Sequence, residues 1–116
     1  MSDHKHNSID YVEFSGKNSD SITQIKNFYS DAFGWKFNEW GASYIDTDSS
    51  GIACGFDATS IRAPLAVIYS DNLENSYAII KDLGGIITRE ILSFPGGRRF
   101  HFRDPAGNEL AVWSDK

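Results

Sequence analysis

The stretch "DSITQIKNFYSDAFG" (20–34) has a second form about 50 residues downstream, "DNLENSYAIIKDLGG" (71–85). Each reads as a helix closed by glycine. In the first, Ile22, Ile25, Phe28, Tyr29, Ala32 and Phe33 recur at spacings of three and four, which lays one apolar stripe along a helix. Asp20 or a neighbouring serine can accept hydrogen bonds from the first turn, and Gly34 supplies the left-handed residue that ends it. In the second, Asp71 or Asn72 starts the helix, and "GG" at 84–85 stops it. Leu73, Tyr77, Ile80 and Leu83 share its apolar side.

Working outward, each helix is preceded by one β-rich run and followed by three. "IDYVEFS" (9–15) alternates as a strand. "WKFNEW", "SYIDTD" and "GIACGF" follow the first helix. "PLAVIYS" (64–70) precedes the second, and "IITREIL" (86–92), "RRFHFRD" (98–104) and "NELAVWS" (108–114) follow it, with turns at "FPGG" and "DPAGN". Aligning Asp20 with Asp71 and Gly34 with Gly84 makes each half strand, helix, three strands. A half of this kind cannot bury both faces of its sheet. The expectation is an α+β fold: two βαβββ modules, about 8–57 and 62–114, in one curved eight-stranded mixed sheet. The helices cover the convex side and leave a concave cup. Residues 8–116 form a single domain, and residues 1–7, including His4 and His6, read as a flexible tail.

Strand alternation sorts the candidate side chains by face. Tyr11 and Glu13 share one face of the first strand. Arg99, His101 and Arg103 share one face of the seventh, with Phe100 and Phe102 on the other. Glu109, Ala111 and Trp113 share a face of the eighth. Arginine offers a planar fork for a carboxylate or phosphate, and histidine can donate or accept a proton near neutrality. The aromatic residues add flat apolar contact. Read as turn chemistry alone, "DPAGN" is a hairpin: Asp104 and Asn108 satisfy backbone groups, Pro105 sets a dihedral, and Gly107 takes positive φ.

Composition narrows the function classes. A net charge of −5 over 116 residues argues against a nucleic-acid surface, although three of the five arginines gather at Arg98, Arg99 and Arg103. No apolar run reaches the roughly 20 residues of a membrane span. The single cysteine, Cys54, allows no internal disulfide, and "MSDHKHNS" lacks the apolar core of a leader, so a cytoplasmic location is expected.

The βαβββ repeat, "FYSDAFGWKF" at the end of the first helix, "LGG" after the second and "FRDPAGNEL" near the end occur together. In that order they resemble the vicinal oxygen chelate superfamily, over roughly residues 8–114. That superfamily includes glyoxalase I, extradiol dioxygenases, fosfomycin-resistance transferases and bleomycin-binding proteins. Its enzymes hold a divalent metal in the cup through His, Glu or Gln from strands 1, 4, 5 and 8. The matching positions here fall on Tyr11 or Glu13, on Cys54 as the one donor of "GIACGF", on Pro64 and on Ala111. Proline and alanine have no donor atom. The resemblance therefore implies a metal-free, glyoxalase/bleomycin-resistance-like protein without a cofactor. It would bind a small, anionic, partly apolar molecule through Tyr11, Glu13, Arg99, His101 and Trp113, with catalysis left open. Two alternatives stand: a metal-dependent lyase or transferase with ligands from Glu13, His101 and Glu109, and a non-enzymatic interaction module with a filled cup. Homodimers are common in such proteins, and a homodimer is the expected partner state.

Overall fold

The computed structural model describes residues 4–59 and 61–116. The elements run β1 (Ser8–Ser15), α1 (Ser19–Phe33), β2 (Asn38–Glu39), β3 (Tyr44–Thr47), β4 (Ala53–Asp57), β5 (Leu65–Tyr69), α2 (Leu73–Asp82), β6 (Ile86–Phe94), β7 (Gly97–Arg103) and β8 (Glu109–Ser114). The duplication is present as expected: βαβββ, then βαβββ. Hydrogen bonding orders the strands β2-β3-β4-β1-β5-β8-β7-β6 in one mixed sheet. Within each module the first and last strands pair in parallel, β1 with β4 and β5 with β8, and the remaining neighbours are antiparallel. No helix among the described residues is long and apolar enough to cross a membrane.

The chain divides into two compact units: Tyr11–Leu65, and Ala66–Lys116 together with the N-terminal residues up to Asp10. In the first unit, α1 lies on a core of Ile22, Ile45, Cys54, Phe56 and Ala58, flanked by Val12, Phe14, Ile25, Tyr29, Trp35 and Phe37. Asn18, not Asp20 or a serine, caps this helix: its side chain accepts from the Ser21 N–H. The helix thus begins one residue earlier than "SD" suggests. Gly34 closes it at φ 73° as expected.

The stripe on α1 is narrower than the spacing predicts. Ile22, Ile25 and Tyr29 face the sheet, but Phe28 is 63% exposed and Phe33 65%. Phe28 sits about 100° round the helix from Tyr29. Phe33, in the last turn, reaches only the rings of Tyr29 and Trp35. "WKFNEW" yields just two residues of strand, Asn38–Glu39, while Trp35 and Phe37 ahead of it pack on the core.

In the second unit, α2 is capped by Asn72 and covers Leu73, Phe100, Phe102 and Val112, with Ile68, Tyr77, Ile80, Ile87, Ile91 and Leu110 at the margin. Leu83 does not join them. It is the C-cap, beyond the last helical turn, and 78% exposed. "DPAGN" is a hairpin held by its own side chains. Asp104 accepts from the N–H groups of Ala106 and Asn108 and from the Asn108 amide, and Gly107 takes φ 88°.

Candidate functional site

Two polar surfaces follow from strand parity, one in each unit. In the second unit Phe100, Phe102, Leu110 and Val112 point at α2. Arg99, His101, Arg103, Glu109, Ala111 and Trp113, at the opposite parity, therefore occupy the other face. The pairing stacks them in rows: Tyr69, Trp113, Arg99 and Leu92 in one; Val67, Ala111, His101 and Arg89 in the next; Glu109 and Arg103 in the third. His101 is thus bordered on its own face by three arginines, two along β7 and one across β6.

His101 is 3% exposed. Its Nε2 lies 3.1 Å from Arg99 Nε and 3.0 Å from Nη2. A guanidinium only donates, so Nε2 accepts, and a ring proton belongs on Nδ1. Nδ1 in turn faces Glu109 Oε2 at 3.8 Å, and that oxygen accepts a hydrogen bond from Thr88 Oγ1 at 2.7 Å. Arg99 therefore orients the imidazole from the Nε2 side, while Glu109, beyond hydrogen-bonding distance, places a carboxylate on the Nδ1 side.

Trp113 lies next to Arg99 in its row. Its indole Nε1 donates to Asp10 Oδ1 at 3.0 Å. Tyr69 meets it edge-on at 5.3 Å and Phe94 lies tilted at 6.3 Å. His4 packs edge-on against the same indole at 4.6 Å and stacks on Tyr69 at 4.9 Å. Of the stretch read as a tail, residues 1–3 lie outside the described residues. His6 Nδ1 accepts the Asp71 N–H, and the Asn7 N–H donates to the Tyr69 carbonyl. The sequence reading placed His4 in a tail and did not single out Asp10. They stand more than 100 residues from Trp113, and no local pattern announces the contact.

Tyr11 and Glu13 belong to the first unit. There Val12, Phe14, Cys54 and Phe56 line the α1 side, so Tyr11, Glu13, Tyr44, Asp46 and Gly55 share the opposite face. The Tyr11 and Tyr44 hydroxyls hydrogen-bond to each other directly above Gly55. A Cβ on residue 55 would stand 2.0 Å from one hydroxyl oxygen and 2.2 Å from the other. Burial first, and the neighbouring Tyr44 second, push the Tyr11 phenol far above the usual tyrosine range. It is a hydrogen-bonding group there and no source of phenolate. Glu13 is buried, with Arg62 Nη1 at 3.9 Å. Arg62 and Tyr44 were missed. A glycine inside the strand "GIACGF" was the available signal, since such a residue marks a close approach.

Few donors stand at the positions where the resemblance expects metal ligands. Ala111 is 0% exposed between Val67 and His101 and presents a methyl group. Pro64 lies just before β5. Cys54 points into the α1 core, where Ser50 Oγ lies 3.3 Å from its sulfur and burial pushes the thiol up. The His101 Nε2 lone pair is directed at Arg99. Among the described residues, no three His, Cys, Asp or Glu side chains gather where they could hold an ion. Of the alternative ligand set, His101 and Glu109 face each other while Glu13 belongs to the other unit.

No family profile matches the chain, and no curated protein sequence matches it. Solved structures do. The chain is similar to a Mn(II)-bound glyoxalase from Novosphingobium aromaticivorans at 22% identity and a TM-score of 0.68, over 96% of this chain and 40% of that one. A glyoxalase/bleomycin resistance protein/dioxygenase superfamily member from Vibrio splendidus 12B01 aligns at 12% identity and a TM-score of 0.66, covering 90% and 96%. An NAD-dependent benzaldehyde dehydrogenase from Legionella pneumophila aligns at 16% and 0.72, covering 91% and 98%. At these identities the likeness carries fold and no activity.

Proposed function

We propose that this chain, with the vicinal oxygen chelate fold, is a binding protein for a small organic anion with a flat apolar part, and that it works without a metal. One observation carries the reading. His101, almost fully buried, is bordered by Arg89, Arg99 and Arg103, and Trp113 continues the row from Arg99. In a chain of net charge −5, this is a local concentration of positive charge beside an aromatic wall. A carboxylate or phosphonate would meet the Arg99 fork, whose geometry suits two parallel hydrogen bonds. Its apolar part would lie against Leu92, Phe94 and Trp113. His101 would position Arg99 through Nε2, and Glu109 would hold His101 in the tautomer this requires. We take the working form to be a homodimer, for which the edge strand β6, with Ile86 exposed, is the available surface.

The test is thermal stabilisation of the purified protein by a panel of small aromatic carboxylates and phosphonates, with and without Mn²⁺ or Zn²⁺. A ligand at about 100 times its Kd adds about 2.7 kcal/mol, a shift of several degrees. The expected result is a hit that needs no metal, is lost in Arg99→Ala and is partly kept in Arg99→Lys. A hit that Arg99→Ala binds unchanged, or one that appears only with added metal, overturns the proposal.

A further inference from the structure

The recess formed by Tyr69, Trp113 and Asp10 already contains a ring, and the ring comes from the chain itself. The His4 imidazole lies nearly parallel to Tyr69, at 4.9 Å between centroids and 22° between planes. It meets Trp113 at 4.6 Å and 86°, an edge contact. Its Nδ1 is 2.5 Å from Asp10 Oδ2. A flat ring is therefore recognised by one face, one edge and one carboxylate, and each contact is specific in kind. The recess is built independently of its occupant. The Trp113 indole donates to the other Asp10 oxygen at 3.0 Å, and the Tyr69 hydroxyl donates to Asp115 Oδ1 at 2.5 Å. Both aromatic side chains and the carboxylate are thus held by partners other than His4. Asp115 adds a second carboxylate beside Tyr69. The Lys116 ammonium, 5.9 Å from the Tyr69 ring centre, is the countercharge.

We propose that this recess is a binding site for a flat nitrogen heterocycle bearing a ring N–H, preferably as a cation, and that His4 occupies it in cis. The chemistry is complementary to that of the Arg99 row: a carboxylate in place of a guanidinium, and a cationic ring in place of an anion. Occupation is competitive. His4 is four residues from the start of β1, so the tether holds its ring at an effective concentration on the order of millimolar. A free heterocycle has to exceed that concentration to enter the intact protein. Removing the His4 ring leaves Tyr69, Trp113 and Asp10 in place.

The experiment follows the Trp113 indole N–H resonance, assigned with Trp113→Phe, while imidazole is added at mildly acidic pH, where the probe is a cation. The expected result is a saturable shift in His4→Ala, with an apparent Kd at least about tenfold lower than in the unaltered protein. The shift should vanish in His4→Ala combined with Asp10→Asn. In His4→Ala combined with Arg99→Ala, which removes the anion site, imidazole should still move the resonance, and benzoate, flat but anionic, should leave it in place. Equal titrations of His4→Ala and the unaltered protein overturn the proposal, and so does an indole signal that imidazole does not move in either. Arg99→Ala keeps this site, so its failure and that of the anion site are separable.

Discussion

Gly55 is the position where the smallest possible addition should do the most. In Gly55→Ala the new methyl would stand 2.0 Å from the Tyr11 hydroxyl, 2.2 Å from that of Tyr44 and 2.7 Å from Tyr44 Cζ. Ordinary carbon–oxygen contact is well over 3 Å, on the order of the 3.5–4.0 Å optimum for heavy atoms. Both rings must therefore move by about 1 Å or more, and the hydroxyl pair must part. Overpacking of this kind costs about 1–3 kcal/mol. Loss of the hydrogen bond adds about 1 kcal/mol, for a total of about 2–4 kcal/mol. The assay is urea denaturation, read as a fall in midpoint at unchanged slope. The mechanism is separated from a simple glycine effect by repeating the change in a Tyr11→Phe/Tyr44→Phe background. That background removes both oxygens and leaves only the Cζ contact. There the added cost of alanine should drop by more than about 1 kcal/mol, the coupling expected of side chains in direct contact. An alanine tolerated within about 0.5 kcal/mol, or an equal cost in both backgrounds, would refute the reasoning.

Three further outcomes are expected. Phe100→Ala should cost about 3–5 kcal/mol, because the ring is fully buried under α2, whereas Phe28→Ala should stay within about 0.5 kcal/mol; calorimetry of the pair checks that the first ring is core and the second is not. Asn18→Ala should lower stability by about 1 kcal/mol while Asp20→Ala changes it little, since the first-turn N–H of Ser21 is satisfied by Asn18, as thermal unfolding would show. The Asn108 amide, with backbone N–H groups, holds the Asp104 carboxyl below its ordinary 3.8. A carboxyl lowered by folding stabilises the protein above its unfolded value, and the contribution is lost as pH falls through the lower folded one. Asp104→Asn should therefore flatten the acid limb of a melting-temperature profile below about pH 4 and leave the neutral region the same shape.

The parts legible in the sequence were those that repeat or alternate. The duplicated helix with its closing glycine was readable because both copies must meet the same local rules. Strand parity correctly separated Phe100 and Phe102 from Arg99 and His101, and Leu110 and Val112 from Ala111 and Trp113. Apolar spacing does not say how wide a strip the sheet can cover, so Phe28, Phe33 and Leu83 were assigned to a core that stops short of them. A cap depends on which of several adjacent polar residues takes extended φ and ψ, and Asn18 competes with serine and aspartate on nearly equal terms. Cys54 had an undetermined direction because "GIACGF" is apolar on both faces and shows no alternation. His4 on Trp113 was out of reach for another reason. That contact depends on the tertiary path of the first residues, and neither end carries a mark of the other.

The assignment of residues 4–10 to the same unit as 66–116 bears on how the molecule can be made. On the ribosome the piece that clasps Trp113 emerges before its counterpart. Asp10 and Trp113 are 103 residues apart. The clasp must stay uncommitted until the residues between them are synthesised, and closing so long a loop comes slowly. The N-terminal half has every strand it needs well before that moment. A nascent chain stalled just short of β8 should carry a finished first unit and leave residues 4–10 unlatched.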